Sequence, residues 1–174
     1  MRRLVVAVSM VCASFGGTEV LAQQPAAASV PDQMPFDVPY GDPITAERAA
    51  QLAEAVVAEA RRTPRNWKLA IAVVDPAGEL VYFYRMDDTQ YGSNQVAINK
   101  ARTAARFRRP TQSFFETMQT PTGSIVPTLD PTLVASPGGI PLVEGGQIIG
   151  AIGCSGATGA QDAVACQAGA NTLR

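Results

Sequence analysis

The sequence contains no histidine. That absence removes several chemistries at once. A Ser-His-Asp or Cys-His nucleophile cannot be assembled within the chain, and neither can His-ligated zinc or His-ligated haem iron. An excess of basic charge is missing as well: the formal net charge is −1 at pH 7. This excludes a generally basic nucleic-acid binder. Cysteine is scarce, with three residues. Beyond the N-terminal region no stretch is long and apolar enough to span a bilayer.

The N-terminal region reads as a leader. Arg2 and Arg3 precede an apolar run from Leu4 to Ala13, and Val20-Leu21-Ala22 offers small residues for cleavage before Gln23. This is the pattern of a secretory signal peptide over residues 1–22, too short and wrongly flanked for a spanning helix. The expectation is an exported, periplasmic protein cleaved near Ala22. Cleavage removes Arg2, Arg3 and Glu19, taking Lys plus Arg from 14 to 12 and Asp plus Glu from 15 to 14, a net charge of −2. It also removes Cys12 and leaves Cys154 and Cys166. In an oxidising compartment these are a disulfide candidate, and the alternative is two buried free thiols.

Residues 23–43 hold five prolines and no helical or alternating pattern. They read as a linker that becomes an extended arm. Met34, Phe36, Val38 and Tyr40 alternate along it, which suits an arm laid across another surface, such as a neighbouring subunit. The domain proper then covers residues 44–174. Thr45 opens a helix with Ala49, Leu52, Ala53, Val56, Val57 and Ala60 on one face, and Pro64 ends it. Leu69 to Val74 is an apolar strand, Asp75-Pro76-Ala77-Gly78 a turn, and Glu79 to Met86 a second strand. Ser93 or Asn94 is the expected cap of the next helix, which runs to about Phe107. Lys100, Arg102, Arg106, Arg108 and Arg109 are five cations with no acid between them. They form either a solvated helix end or a site for an anion. Thr111 to Gln119 is a short helix with Phe114, Phe115 and Met118 expected inside. Residues 120–137 form a long loop with four prolines, with one further strand expected around Val126–Val134.

The last stretch, Gly138 to Asn171, organises the rest. Ile140–Val143 and Ile148–Cys154 flank Glu144-Gly145-Gly146-Gln147, a hairpin. A glycine-rich elbow, Ser155-Gly156-Ala157-Thr158-Gly159, leads to a helix. Thr158 with Gln161 is its capping box. Amides at the elbow could hold a carboxylate or phosphate. Strands joined as hairpins with helices between them predict an α+β domain with a mainly antiparallel sheet.

The ordered pieces resemble the GlcG/HbpS-type haem-binding proteins, related to a domain attached to some cobalamin adenosyltransferases. They are Ala72-Val73-Val74-Asp75, Arg85-Met86-Asp87, Ser93, Lys100-Ala101-Arg102-Thr103-Ala104-Ala105, Gly138-Gly139-Ile140-Pro141 and Gly150-Ala151-Ile152-Gly153, then Ser155-Gly156 and Asp162. The resemblance implies a profilin-like fold, an antiparallel β-sheet flanked by α-helices, assembled as a homo-oligomer. It implies haem or tetrapyrrole binding for some members.

Three readings follow. The first is a binding protein for a small anionic or tetrapyrrole ligand, with haem as the cofactor. Its ligand-binding set is Arg85, Met86, Asp87, Ser93, Lys100, Thr103, Gly138, Gly139, Ser155 and Gly156. Without histidine, the candidate iron ligands are Met86, Cys154, Tyr91 and Lys100. The second is an enzyme on a small organic acid or lactone-like substrate, with a desolvated Lys100 as base or Schiff-base amine and Asp87 or Asp75 as acid/base partner. The third is an oligomeric assembly module. No nucleic acid and no membrane span enter any of them.

Overall fold

The structure, a computed structural model, describes residues 32–62 and 64–173. The leader, Cys12 and the start of the Pro-rich linker lie outside the described residues. Met34–Arg174 form one compact unit.

Helix α1 (Ala46–Arg61) starts where Thr45 Oγ1 accepts the Arg48 amide, and it buries Ala49, Leu52, Ala53, Val56 and Ala60. Strands β1 (Ala70–Val74) and β2 (Leu80–Arg85) form the first hairpin. Its turn is closed by Asp75, whose carboxylate accepts the Glu79 amide at 2.9 Å. Helices α2 (Gly92–Arg106) and α3 (Thr111–Met118) follow. Strands β3 (Gly139–Glu144) and β4 (Gln147–Ser155) form the second hairpin, through Gly145 and Gly146 at φ 56° and 78°. Such positive φ values suit a two-residue turn that matches strand twist. Helix α4 (Gly159–Ala170) closes the chain behind the expected Thr158–Gln161 capping box.

All strand pairs are antiparallel, in the order β2-β1-β4-β3. Period-two alternation along β1 and β4 divides the core. Ile71, Val73, Ile152 and Cys154 face α1 and α4, while Ala70, Ala72, Val74 and Ala151 face α2. The second face is made of small residues, so α2 lies almost against the sheet backbone. Gly153 marks the closest point: a Cβ there would overlap the Ala97 carbonyl oxygen. This proximity carries α2's side chains through to the elbow. Fold class and hairpin topology are as the sequence predicts.

Three local expectations are corrected. Neither Ser93 nor Asn94 caps α2. The chain enters that helix through turns in which Ser93 donates to the Gln90 carbonyl and Asn94 to that of Tyr91, so both already lie in the first turn. Residues Gly123–Thr128 form a 3₁₀ segment rather than a strand, with Pro127 inside it and Val126 its anchor. Phe115 and Met118 are 41% and 42% exposed, and of the three apolar residues on α3 only Phe114 enters the core. The arm, expected to lie across another surface, contacts the sheet and α2 of its own chain. Ile148 donates to the Pro39 carbonyl and Gly41 to that of Ile148, while the Tyr40 hydroxyl donates to Ala105 and Arg106 carbonyls at the end of α2.

Cys154 and Cys166 are bonded, with Cα atoms 5.7 Å apart, tying β4 to α4. The bond closes a loop of 12 residues. Removing it with the double variant Cys154→Ala/Cys166→Ala should lower unfolding free energy by about 2–3 kcal/mol. Denaturant titration of oxidised wild type against the variant measures this, and coincident curves would refute a stabilising bond.

Candidate functional site

Lys100 sits on α2's sheet-facing side and is 1% exposed. Its ammonium donates to Asp162 Oδ2 at 2.7 Å and to the Cys154 carbonyl at 3.0 Å. Asp162 stands in the first turn of α4, itself 2% exposed. Its second oxygen accepts the Ala157 amide at 3.0 Å. The elbow amides therefore do hold a carboxylate, and it is the protein's own. Gly138 makes room for the pair: at φ 114°, a Cβ there would lie 2.8 Å from Asp162 Cβ and 3.2 Å from Lys100 Nζ. Its carbonyl accepts the Cys154 amide. Gly139 donates to Thr111 Oγ1 at 2.9 Å, and Thr103 Oγ1 accepts the Val134 amide at 3.1 Å. Ser155 is buried at the end of β4, and Gly156 at φ 149° passes over the Lys68 carbonyl.

Of the sequence-predicted residues, Lys100, Gly138, Gly139 and Gly156 thus meet at one interior polar centre, while Thr103 and Ser155 are buried nearby in the chain without a contact to the ion pair. Burial lowers the Lys100 pKa from the ordinary lysine value, and the Asp162 charge and hydrogen bond oppose it. Burial raises the Asp162 pKa, opposed by Lys100 and by the Ala157 and Gly156 amides. In the sequence Asp162 stands out only as part of a motif, and Asp87 and Asp75 are the expected partners of Lys100. Asp87 is exposed, and Asp75 is spent closing its turn. The usable signal was the buried position of Lys100 on an alanine face, which demands an acid from another element.

The remaining predicted residues lie at the corner where β2 meets α2. Met86 is 1% exposed and packed in the core. The Arg85 guanidinium lies 5.3 Å from the ring centroid of Tyr91, which is 81% exposed. Asp88 adopts φ 61°. Ser93 Oγ, Thr89 Oγ1 and Asn94 Oδ1 are buried with no hydrogen-bond partner among the described residues. The arginine run is accounted for by local structure. Arg102 and Arg106 donate to the Gly78 and Ala77 carbonyls and approach Glu79. Arg108 reaches Val38 and Asp37, and Arg109 lies against the Phe36 and Phe114 rings.

Three surface cavities of about 400, 390 and 420 Å³ accompany these features. The first lies between α1 and β2, the second runs along β3 to the chain's end, and the third lies beside Tyr40 and Arg106. None of the three is lined by Lys100.

Lys100→Met should therefore act on stability. It leaves a buried carboxylate uncompensated, at a cost of about 3–5 kcal/mol, and Lys100→Met/Asp162→Leu should recover most of that. The pH sign is set by Asp162. Its folded pKa lies above the unfolded value, so the folded state holds the proton more tightly and stability falls as pH rises through that pKa. Without Lys100 the rise is larger, and the single variant should regain stability between pH 7 and pH 5. Denaturant titrations at both pH values test this, and a pH-independent deficit would overturn it.

A family model described as "Haem degrading protein HbpS-like" matches residues 44–171. Protein GlcG of Escherichia coli K12 is 41% identical over 107 residues, 60% of this chain and 78% of GlcG. Among solved structures, a variant of Streptomyces reticuli HbpS superposes with TM-score 0.70 at 28% identity, covering 86% of this chain and 99% of that one. A PduOC–haem complex gives TM-score 0.69 at 25% identity, covering 76% and 96%. The matched span includes both hairpins and the whole Lys100–Asp162 centre, and the chain belongs to this HbpS-like family.

Proposed function

We propose that the protein is exported and binds a haem-type tetrapyrrole at the β2–α2 corner, with the Tyr91 phenol as iron ligand and Arg85 as partner for an acidic substituent. The carrying observation is the exposed Tyr91 ring beside the Arg85 guanidinium. The family and the haem complex of PduOC support the ligand class. The donor set supports the residue. Of the four iron ligands singled out near the matched motifs, Met86 is enclosed in the core, Cys154 is in a disulfide, and Lys100 is committed to Asp162. Tyr91 alone of these four offers a solvent-facing donor, and a tyrosinate is an established haem-iron ligand. Arg85 supplies a planar cation that matches a carboxylate with paired hydrogen bonds. Bound there, haem would bring its own redox chemistry, while the chain's residues hold and orient it. The organic-acid enzyme gains no such support, since Lys100 is closed off from solvent and Asp87 is not its partner.

Hemin titration of the protein recovered after export tests the reading. A saturable Soret shift at about one ligand per chain is expected. Tyr91→Phe should weaken ferric haem binding about tenfold or more and change the band position. Arg85→Ala should weaken it less, by roughly one hydrogen bond to a charged group, about 1.5–3 kcal/mol at most. An absent shift, or a Tyr91→Phe titration that matches wild type, would sink the assignment.

A further inference from the structure

Strand β2 is an outer strand of the sheet and pairs with β1 on one side only. Just past its end, Met86 donates to the Leu69 carbonyl at 3.0 Å. Antiparallel alternation then turns the backbone groups of Tyr84 and Tyr82 toward β1, and those of Phe83 and Arg85 toward the open edge. Side chains alternate in the same rhythm. Tyr82 and Tyr84 face α1, and with Val57 and Ala58 they wall an open groove of about 400 Å³. That volume is in the range of small-ligand sites.

Glu54 and Arg61 line the same groove. Seven residues apart on a helix, they share one side and stand about 10 Å apart along its axis. Both are exposed. Neither makes an ion pair among the described residues, whereas Arg48, Arg62, Arg65, Arg102, Arg106 and Arg108 each do. The strip therefore offers a free charge of each sign at its two ends, an apolar and aromatic wall between them, and unpaired peptide groups alongside.

A zwitterion with an apolar body matches the charges and the wall. A peptide backbone matches the open strand edge, to which it can add as a further strand. Length fixes the size: an extended chain advances about 3.3 Å per residue, so three residues cover about 10 Å. The middle residue then lies opposite Phe83 and exchanges both hydrogen bonds with its free N–H and C=O. The first and third side chains lie opposite Tyr84 and Tyr82 and enter the groove.

We propose that the β2 edge and the α1–β2 groove bind a short peptide with free ends, about three residues long, with apolar first and third side chains. Glu54 receives its ammonium, Arg61 its carboxylate, and Phe83 its central peptide groups. Arg85 and Tyr91 are not among the groove's lining residues, so the site stands apart from the tetrapyrrole corner and its test uses no hemin.

The test is equilibrium dialysis of the exported protein against radiolabelled Leu-Ala-Leu. Saturable uptake of about one peptide per chain is expected. Acetylating the peptide's N-terminus or amidating its C-terminus should each weaken binding about threefold or more. Glu54→Gln should weaken the free peptide by a similar factor and leave acetylation without further effect. Arg61→Gln should do the same for amidation. N-methylation of the central residue deletes the N–H offered to the Phe83 carbonyl and should also weaken binding about threefold or more. Circular dichroism confirms that both variants are folded. Absence of saturable uptake overturns the proposal. So do capped or N-methylated peptides that bind like the free one, or a capping penalty that persists in the matching variant. Peptide affinity that falls as protein concentration rises would mean that a second copy closes the groove, and would overturn it as well.

Discussion

The structure depends on one buried ion pair. Lys100 cannot stay charged in an interior of alanine and glycine unless a carboxylate reaches it, and the carboxylate that does is 62 residues away on another helix. Satisfying both groups fixes several elements at once. Helix α2 must lie close enough for Nζ to reach the elbow, which the Ala97–Gly153 approach allows. The elbow must aim its Ala157 amide at the second carboxylate oxygen. Gly138 must carry no side chain. Cys154 serves twice, its carbonyl accepting from Lys100 and its sulfur bonding Cys166. A register slip in β4 would flip Cys154 to the other face and lose both.

Much of this was legible as pattern and little of it as pairing. The α1 stripe, both hairpin turns and the Thr158–Gln161 cap depend on neighbours in sequence, and each appears where its residues point. The acid for Lys100 depends on which helix packs over the elbow. Nearness in sequence suggested Asp87, while tertiary packing selected Asp162. The same limit explains Ser93, a good capping residue that the preceding turn carries past the cap position. It explains the 3₁₀ segment too. Val126 and Val134 favour a strand, but Pro127 and Pro131 remove the donors a ladder needs.

The arginine run shows how one local pattern divides among uses. Arg102 and Arg106 clamp the β1–β2 turn through carbonyl oxygens, while Arg108 and Arg109 hold the arm by its backbone and by Phe36. A cluster read by charge alone resembles an anion site. With its acceptors in view it is a set of fasteners between α2 and the segments that cross it.

An interior centre that locks the fold is poorly suited to bind and release a ligand, because opening it strands a buried charge. The side chains at the rim carry no such commitment, and β2 is one place where the rim presents functional groups. Alternation makes that strand two-sided. Arg85, paired with Ala70, points to the α2 side, where Tyr91 stands beside it. Tyr84 and Tyr82, paired with Ile71 and Val73, point to the α1 side and wall the groove. The edge strand thus presents a cation on one face, with the Tyr91 ring at the start of α2 beside it, and an aromatic floor on the other. The two faces of β2 can then make different contacts without sharing a side chain. A substitution at Arg85 and one at Tyr84, adjacent in sequence, act on opposite faces of the sheet.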